Sequence, residues 1–209
     1  RFEEEPEGLN EGDNYSLSNY ELASRLSFFI WSSIPDEELL ATAQSGELSD
    51  SLELDAQIKR MLQDPKADAL IKNFAVSWLS LQQLNTVNPS ATDFDGSLRV
   101  AMRRETELLL ESVIQENRPL KELLTADYTF VNERLAQHYG IPNIRGSHYR
   151  KVNLAGTGRH GLLGHGSILT ITSAPNRTSP VIRGAWIMEN LLGTPPPPPP
   201  PGVEINLDD

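Results

Sequence analysis

The sequence predicts an all-α fold: a helical bundle of six or seven helices, followed by a smaller C-terminal helical pair and a polyproline tail. Three observations lead there. Apolar residues recur at helical spacing nearly everywhere through residue 140. Capping residues and first-turn prolines punctuate that pattern at regular intervals. No internal repeat is present, and no heptad register outlasts one helix, so the helices belong to a globular bundle.

Residues 1–14 form an acidic arm, with Glu3, Glu4, Glu5 and Glu7 around Pro6. Ser18 and Glu21 make a capping box for a first helix carrying Leu22, Leu26 and Phe29 on one stripe, which ends near Trp31 because Pro35 follows. Pro35 is expected to open a second helix, with Asp36, Glu37 and Glu38 at its positive end and Gly46 as its stop. A third helix runs from about Ser51 to Leu62. Asp64-Pro65 starts a fourth, whose stripe of Leu70, Phe74, Trp78 and Leu81 is expected deep in the core. Residues 85–96 are loop by composition. A long helix then covers about Ser97 to Asn117, with a short helical turn at Leu120–Leu124. Tyr128–Val131 is extended, and Asn132 caps a helix closed by Gly140.

The main helical domain is therefore 15–141, and a C-terminal helical subdomain occupies 142–194. Within the latter, Tyr149–Leu154 alternates like a strand or an extended arm, Gly161–Thr172 is a helix, and Ser179-Pro180 caps a last helix to about Leu192. Residues 195–209 are spacer and tail. Seven prolines, 195–201, form a polyproline II rod of roughly 22 Å, read as a spacer more than as a ligand for a proline-reading domain. The chain starts at Arg1-Phe2 without a methionine and reads as a fragment or a processed product.

Composition excludes several functions. The 209 residues carry 18 Lys+Arg against 29 Asp+Glu, net −11, so the footprint of a nucleic-acid binder is missing. No run approaches the ~18 apolar residues of a membrane span. The chain has no cysteine, which removes disulfides, thiolate metal sites, a cysteine nucleophile and covalent haem attachment.

Three ordered segments carry a family resemblance: Tyr20–Asp36 (YELASRLSFFIWSSIPD), Ala126–Gly140 (ADYTFVNERLAQHYG) and Asn176–Gly184 (NRTSPVIRG) running into the prolines. The chain resembles the paired bacterial modules known as domain of unknown function 1592, about 15–141, and domain of unknown function 1588, about 150–203. Those modules occur in large exported proteins that usually also carry c-type cytochrome segments. The resemblance implies a periplasmic or extracellular location and, as partners, other domains of the same parent protein. It implies haem c in neighbouring segments and no assigned reaction; with no cysteine and no two histidines sharing a helix face, no cofactor is expected in this chain itself.

Two functions of different class follow as expectations. One is a non-catalytic module that positions cytochrome segments. The other is an enzyme domain lining the pocket of a neighbouring haem and contributing Arg159, His160 or Arg177. A carbohydrate-binding module finds little support, because the tryptophans occupy helical core positions.

The candidate residues are few. His160 and His165 lie five apart, so they share no metal-binding helix face, although either imidazole could be an axial haem ligand. In the resembled module position 165 is more often glutamine. His138 reads as a hydrogen-bonded structural histidine. Arg177 and Arg183 flank the start of the last helix, where they could hold a carboxylate or a haem propionate, or pair with acidic side chains. No nucleophile elbow, phosphate loop or calcium loop is present; Asp93 and Asp95 lack the remaining calcium ligands. Arg25 and Glu105 intrude on the apolar stripes of their helices, which predicts a largely buried structural ion pair between them.

Overall fold

The structure is a computed structural model describing residues 8, 10 and 12–197. It is mostly helical. The α-helices are α1 (Asn19–Trp31), α2 (Glu37–Ser45), α3 (Ser51–Gln63), α4 (Val76–Trp78), α5 (Gly96–Gln115), α6 (Glu122–Thr125), α7 (Glu133–Tyr139), α8 (Gly161–Gly164), α9 (Gly166–Ile171) and α10 (Pro180–Asn190). Contrary to the all-α expectation, two small antiparallel pairs are present. β1 (Tyr128–Val131) pairs with β2 (Arg150–Asn153), Tyr128 opposite Asn153, and β3 (Ser173–Ala174) pairs with β4 (Arg177–Thr178). The alternation of residues 149–154 is thus a strand. The β3–β4 hairpin has only two-residue strands, too short to leave a period-two signal.

The chain forms two compact units: Arg1–Ser77 with Glu107–Leu123, and Trp78–Thr106 with Leu124–Asp209. In the first, Ser18 accepts from the Glu21 N–H while Glu21 accepts from the Ser18 N–H, completing the capping box. The core of this unit contains Ala23, Ile30, Trp31, Leu39, Leu48 and Met61, and the Trp31 indole donates to the Met61 carbonyl at 2.9 Å. On α1 the buried positions are Ala23, Ser27, Ile30 and Trp31, one residue out of step with the expected stripe. Leu22 and Leu26 are left half-buried, and Arg25, two residues from Ala23 and so about 200° round the helix, is exposed.

Asp36 does not lie in the first turn of α2; it is the N-cap, accepting from Leu39 N–H at 3.0 Å. The same carboxylate takes Arg60 in bidentate fashion, at 2.7 and 3.1 Å, and this hydrogen bond, the largest influence, holds its pKa below the usual value. Asp64-Pro65 does start a helical segment, but a short 3₁₀ turn, Pro65–Ala67, which gives way to a π-helix at Leu70–Ala75. The wider π turn breaks the 3.6 period on which the expected stripe depended. Leu70, Ile71, Ala75 and Val76 are buried, and Phe74 is 47% exposed.

In the second unit a core of Leu98, Ala101, Met102, Val131, Leu135 and Ala136 joins the first half of α5 to β1 and α7. Asp95 caps α5: the Leu98 N–H, then the Ser97 hydroxyl, lower its pKa to about 2. Asn132 caps α7 and Gly140 closes it in the left-handed region, φ 69°. Trp186 on α10 is buried and donates to the Leu79 carbonyl at 3.3 Å. Pro195, Pro196 and Pro197 are exposed; the rest of the expected rod and tail, like most of the acidic arm, lies outside the described residues.

Candidate functional site

The helix expected over Gly161–Thr172 is broken at His165, whose backbone is extended (φ −71°, ψ 139°) between α8 and α9. Its flanking glycines explain the break. A Cβ on Gly164 would come within 3.2 Å of the Arg159 Cα, and one on Gly166 within 2.8 Å of the Tyr139 hydroxyl. These close approaches seat His165, 1% exposed, against α5.

There Thr106 Oγ1 lies 2.9 Å from His165 Nδ1 and 2.7 Å from Ser167 Oγ, with Thr106 and Ser167 both at 0% exposure. One residue earlier on α5, Glu105 is 1% exposed. Thr129 on β1 donates to its Oε1 and Tyr139 at the end of α7 donates to its Oε2, each at 2.6 Å, the length of a hydroxyl bound to a carboxylate. The Tyr139 oxygen in turn accepts the Gly166 N–H at 2.6 Å. The Arg159 guanidinium lies 4.0 Å from the Tyr139 ring centroid and donates to the Gly164 carbonyl at 2.6 Å.

The electrostatics follow from this burial. Desolvation lowers the His165 pKa, Glu105 opposes that shift, and Arg159 adds to it. Burial and then the nearby Glu105 charge raise the Tyr139 pKa well above its usual value. His165 Nε2 is buried without a hydrogen-bond partner among the described residues.

Glu105 therefore meets hydroxyls where the sequence pointed to Arg25. Arg25 is exposed because α1 buries its 23–27–30 face, and Glu105 has both oxygens occupied by Thr129 and Tyr139. Of the other candidates, Arg159 and His165 join one network, and His160 is exposed at the N-cap of α8 without a side-chain cap bond. Arg183 donates to Thr172 Oγ1 at 3.3 Å and to Ser173 Oγ at 3.4 Å, and Arg177 lies exposed on β4. His138 bonds Asp93 at 3.1 Å. Thr106, Thr129, Tyr139 and Ser167 were not singled out from sequence. They are neutral hydroxyl residues whose partners lie 24 to 61 positions away, so nothing in the sequence marks them.

Serine, histidine and a carboxylate are thus close together, but Thr106 stands between Ser167 and His165, and each is closed to solvent. The arrangement is a clasp that ties α5, β1, α7 and α9 together. The 209 residues hold no cysteine for covalent haem attachment, and the unpartnered His165 Nε2 is buried in the protein interior.

No curated protein and no solved structure is matched by the chain. The family described as "Protein of unknown function (DUF1592)" matches residues 17–141, and that described as "Protein of unknown function (DUF1588)" matches residues 159–209. The chain, matched by the first over more than half its length and by the second after it, belongs to this paired DUF1592–DUF1588 family.

Proposed function

We propose that the chain is a non-catalytic structural module that positions neighbouring c-type cytochrome segments of an exported bacterial redox protein. One observation carries the non-catalytic part: Glu105, Thr106, His165 and Ser167, the residues best suited to acid–base or nucleophilic work, are at most 1% exposed and bonded within their own clasp. A substrate needs contact with the groups that act on it. The link to cytochromes comes from the family resemblance, and in this reading the haem belongs to neighbouring segments. The prolines from Pro195 onward act as the stiff connection to them.

The test uses the full-length parent protein. Replacing prolines 195–201 by a glycine–serine linker of equal length is expected to leave haem content intact and broaden the haem-to-haem distances read by pulsed electron resonance. A parent protein without haem overturns the reading. So does loss of substrate turnover in His160→Ala or Arg177→Ala with haem content unchanged, which assigns this chain to the enzyme class instead.

A further inference from the structure

Away from the clasp, one sheet edge of the second unit is open. Among the described residues β2 pairs with β1 alone, with Tyr128 opposite Asn153 and Phe130 opposite Lys151. The Leu154 N–H donates to the Asp127 carbonyl at 2.6 Å, which continues this ladder and fixes its phase. Bonded and non-bonded pairs alternate along an antiparallel ladder. Arg150 and Val152 therefore direct their backbone groups to β1, and Lys151 and Asn153 direct theirs outward. Among the described residues nothing bonds those outward N–H and C=O groups, and both residues are exposed. On β1, by contrast, Tyr128, Thr129 and Val131 are buried. The outer edge of β2 is thus a template for strand addition.

The charge beside this edge says which strand fits. From Arg134 to Met188 the sequence holds seven Lys or Arg and no Asp or Glu, in a chain of net −11. Arg134 and Arg145 are matched from outside that stretch, by Asp95 at 3.3 Å and Glu133 at 2.9 Å. The two cations on β2 itself have neutral partners. Arg150 donates to the Arg145 carbonyl at 2.7 Å and meets the His148 ring, and Lys151 Nζ lies 3.6 Å from the Tyr128 ring centroid. Glu133, the carboxylate that senses Arg150, is already bonded to Arg145 and to the Gly146 N–H. A carbonyl or a ring holds a cation without cancelling its charge. A second copy would set Arg150 and Lys151 against their like, which opposes self-pairing, whereas an acidic strand is attracted.

We propose that the outer edge of β2 takes up an extended acidic segment of a partner polypeptide as a third strand. Its backbone bonds Lys151 and Asn153, and acidic side chains at alternate positions lie beside Lys151.

The test is a titration of the isotope-labelled chain with a capped peptide of alternating Glu and Val, followed by amide shifts and hydrogen exchange. Saturable shifts centred on residues 149–154 are expected, with exchange of the Lys151 and Asn153 amides slowed about tenfold or more at saturation. A Lys–Val peptide is expected to give no saturable shifts. N-methylating the Glu residues keeps the charge and removes the N–H groups that face β2. Asn153→Pro removes one outward N–H and none that β1 uses. Each of these, and Lys151→Glu, is expected to weaken binding about tenfold or more, equivalent to ~1.4 kcal/mol. If Asn153→Pro unfolds the chain, the N-methylated peptide decides the same point. Unchanged affinity of the N-methylated peptide would reduce the edge to a charge effect and overturn the proposal. So would shifts centred elsewhere, an oligonucleotide of equal charge binding as tightly, or shifts at 150–153 that follow chain concentration without peptide, the mark of a second copy.

Discussion

Tyr139 donates its hydroxyl to Glu105 Oε2 at 2.6 Å, and the Tyr139 hydroxyl oxygen accepts the Gly166 N–H at 2.6 Å. One hydroxyl thus satisfies a buried carboxylate and a backbone amide at the entrance to α9. Tyr139→Phe preserves the ring under Arg159 and removes only that oxygen. It leaves a carboxylate lone pair and an N–H without a partner, and a stability loss of about 3 kcal/mol is expected. Urea unfolding with an unchanged slope checks it; a loss below about 1 kcal/mol would mean that the clasp is dispensable.

The helix ends were legible because their chemistry is local. Ser18 with Glu21, Asn132 with Leu135 and Ser179 with Ile182 all bond within three residues, and Gly46 and Gly140 take left-handed conformations where a helix must stop. What failed was anything that a tertiary contact decides. Leu22/Leu26/Phe29 and Ala23/Ser27/Ile30 are equally regular stripes on α1, and only packing picks the second, which turns Arg25 to solvent. The π-helix at Leu70–Ala75 carries no signal in a 3.6-residue pattern. Glu105 was legible as an anomaly in an apolar stripe, but its partners were not. Opposite charge is an obvious answer to a buried carboxylate, whereas two hydroxyls 24 and 34 positions on leave no mark.

His165 gives the second unit a sensitivity to mild acid. Burial holds its folded pKa below the ordinary 6.5, so as pH falls below that value the unfolded chain takes up the proton first. Stability from this group is complete above pH 6.5 and is lost as pH falls toward the lower folded pKa, at up to ~1.4 kcal/mol per pH unit in that window. His165→Gln keeps a polar group near Thr106 and cannot be charged. Its unfolding free energy is expected to change less than the parent's between pH 7 and pH 5. Identical slopes for the two proteins would remove the effect from His165.

Asp36 behaves in the opposite range of pH and in the other unit. Its hydrogen bonds from Arg60, and secondarily from the Leu39 N–H, put its folded pKa below 3.8. A lowered carboxyl pKa gives stability that is present above about 3.9, the unfolded value, and lost as pH falls through the folded one. Asp36→Ala removes both the α2 cap and the half-buried partner of Arg60, and should lose about 1–2 kcal/mol at neutral pH. That deficit is expected to shrink as pH falls below 3.9. A deficit that stays constant into acid would assign the loss to packing alone.

Gly166 and Gly184 look alike in sequence, each a glycine within a short helical stretch, yet opposite outcomes are expected when each becomes alanine. Around Gly184, in α10, nothing lies within 4 Å of an added Cβ. Gly184→Ala should therefore stabilise by about 0.5–1 kcal/mol through helix propensity. At Gly166 the Cβ would fall 2.8 Å from the Tyr139 hydroxyl and 2.9 Å from Met102 Cε. The methionine end can swing aside, but the hydroxyl is pinned between Glu105 and the Gly166 N–H and cannot retreat without breaking one of those bonds. Gly166→Ala is expected to destabilise by about 1–3 kcal/mol. In a Tyr139→Phe background the obstructing oxygen is already gone, so the two losses should fall short of their sum by about 1 kcal/mol or more. Additive losses, or a neutral Gly166→Ala beside a stabilising Gly184→Ala, would show that the close approach at Gly166 does not hold the clasp.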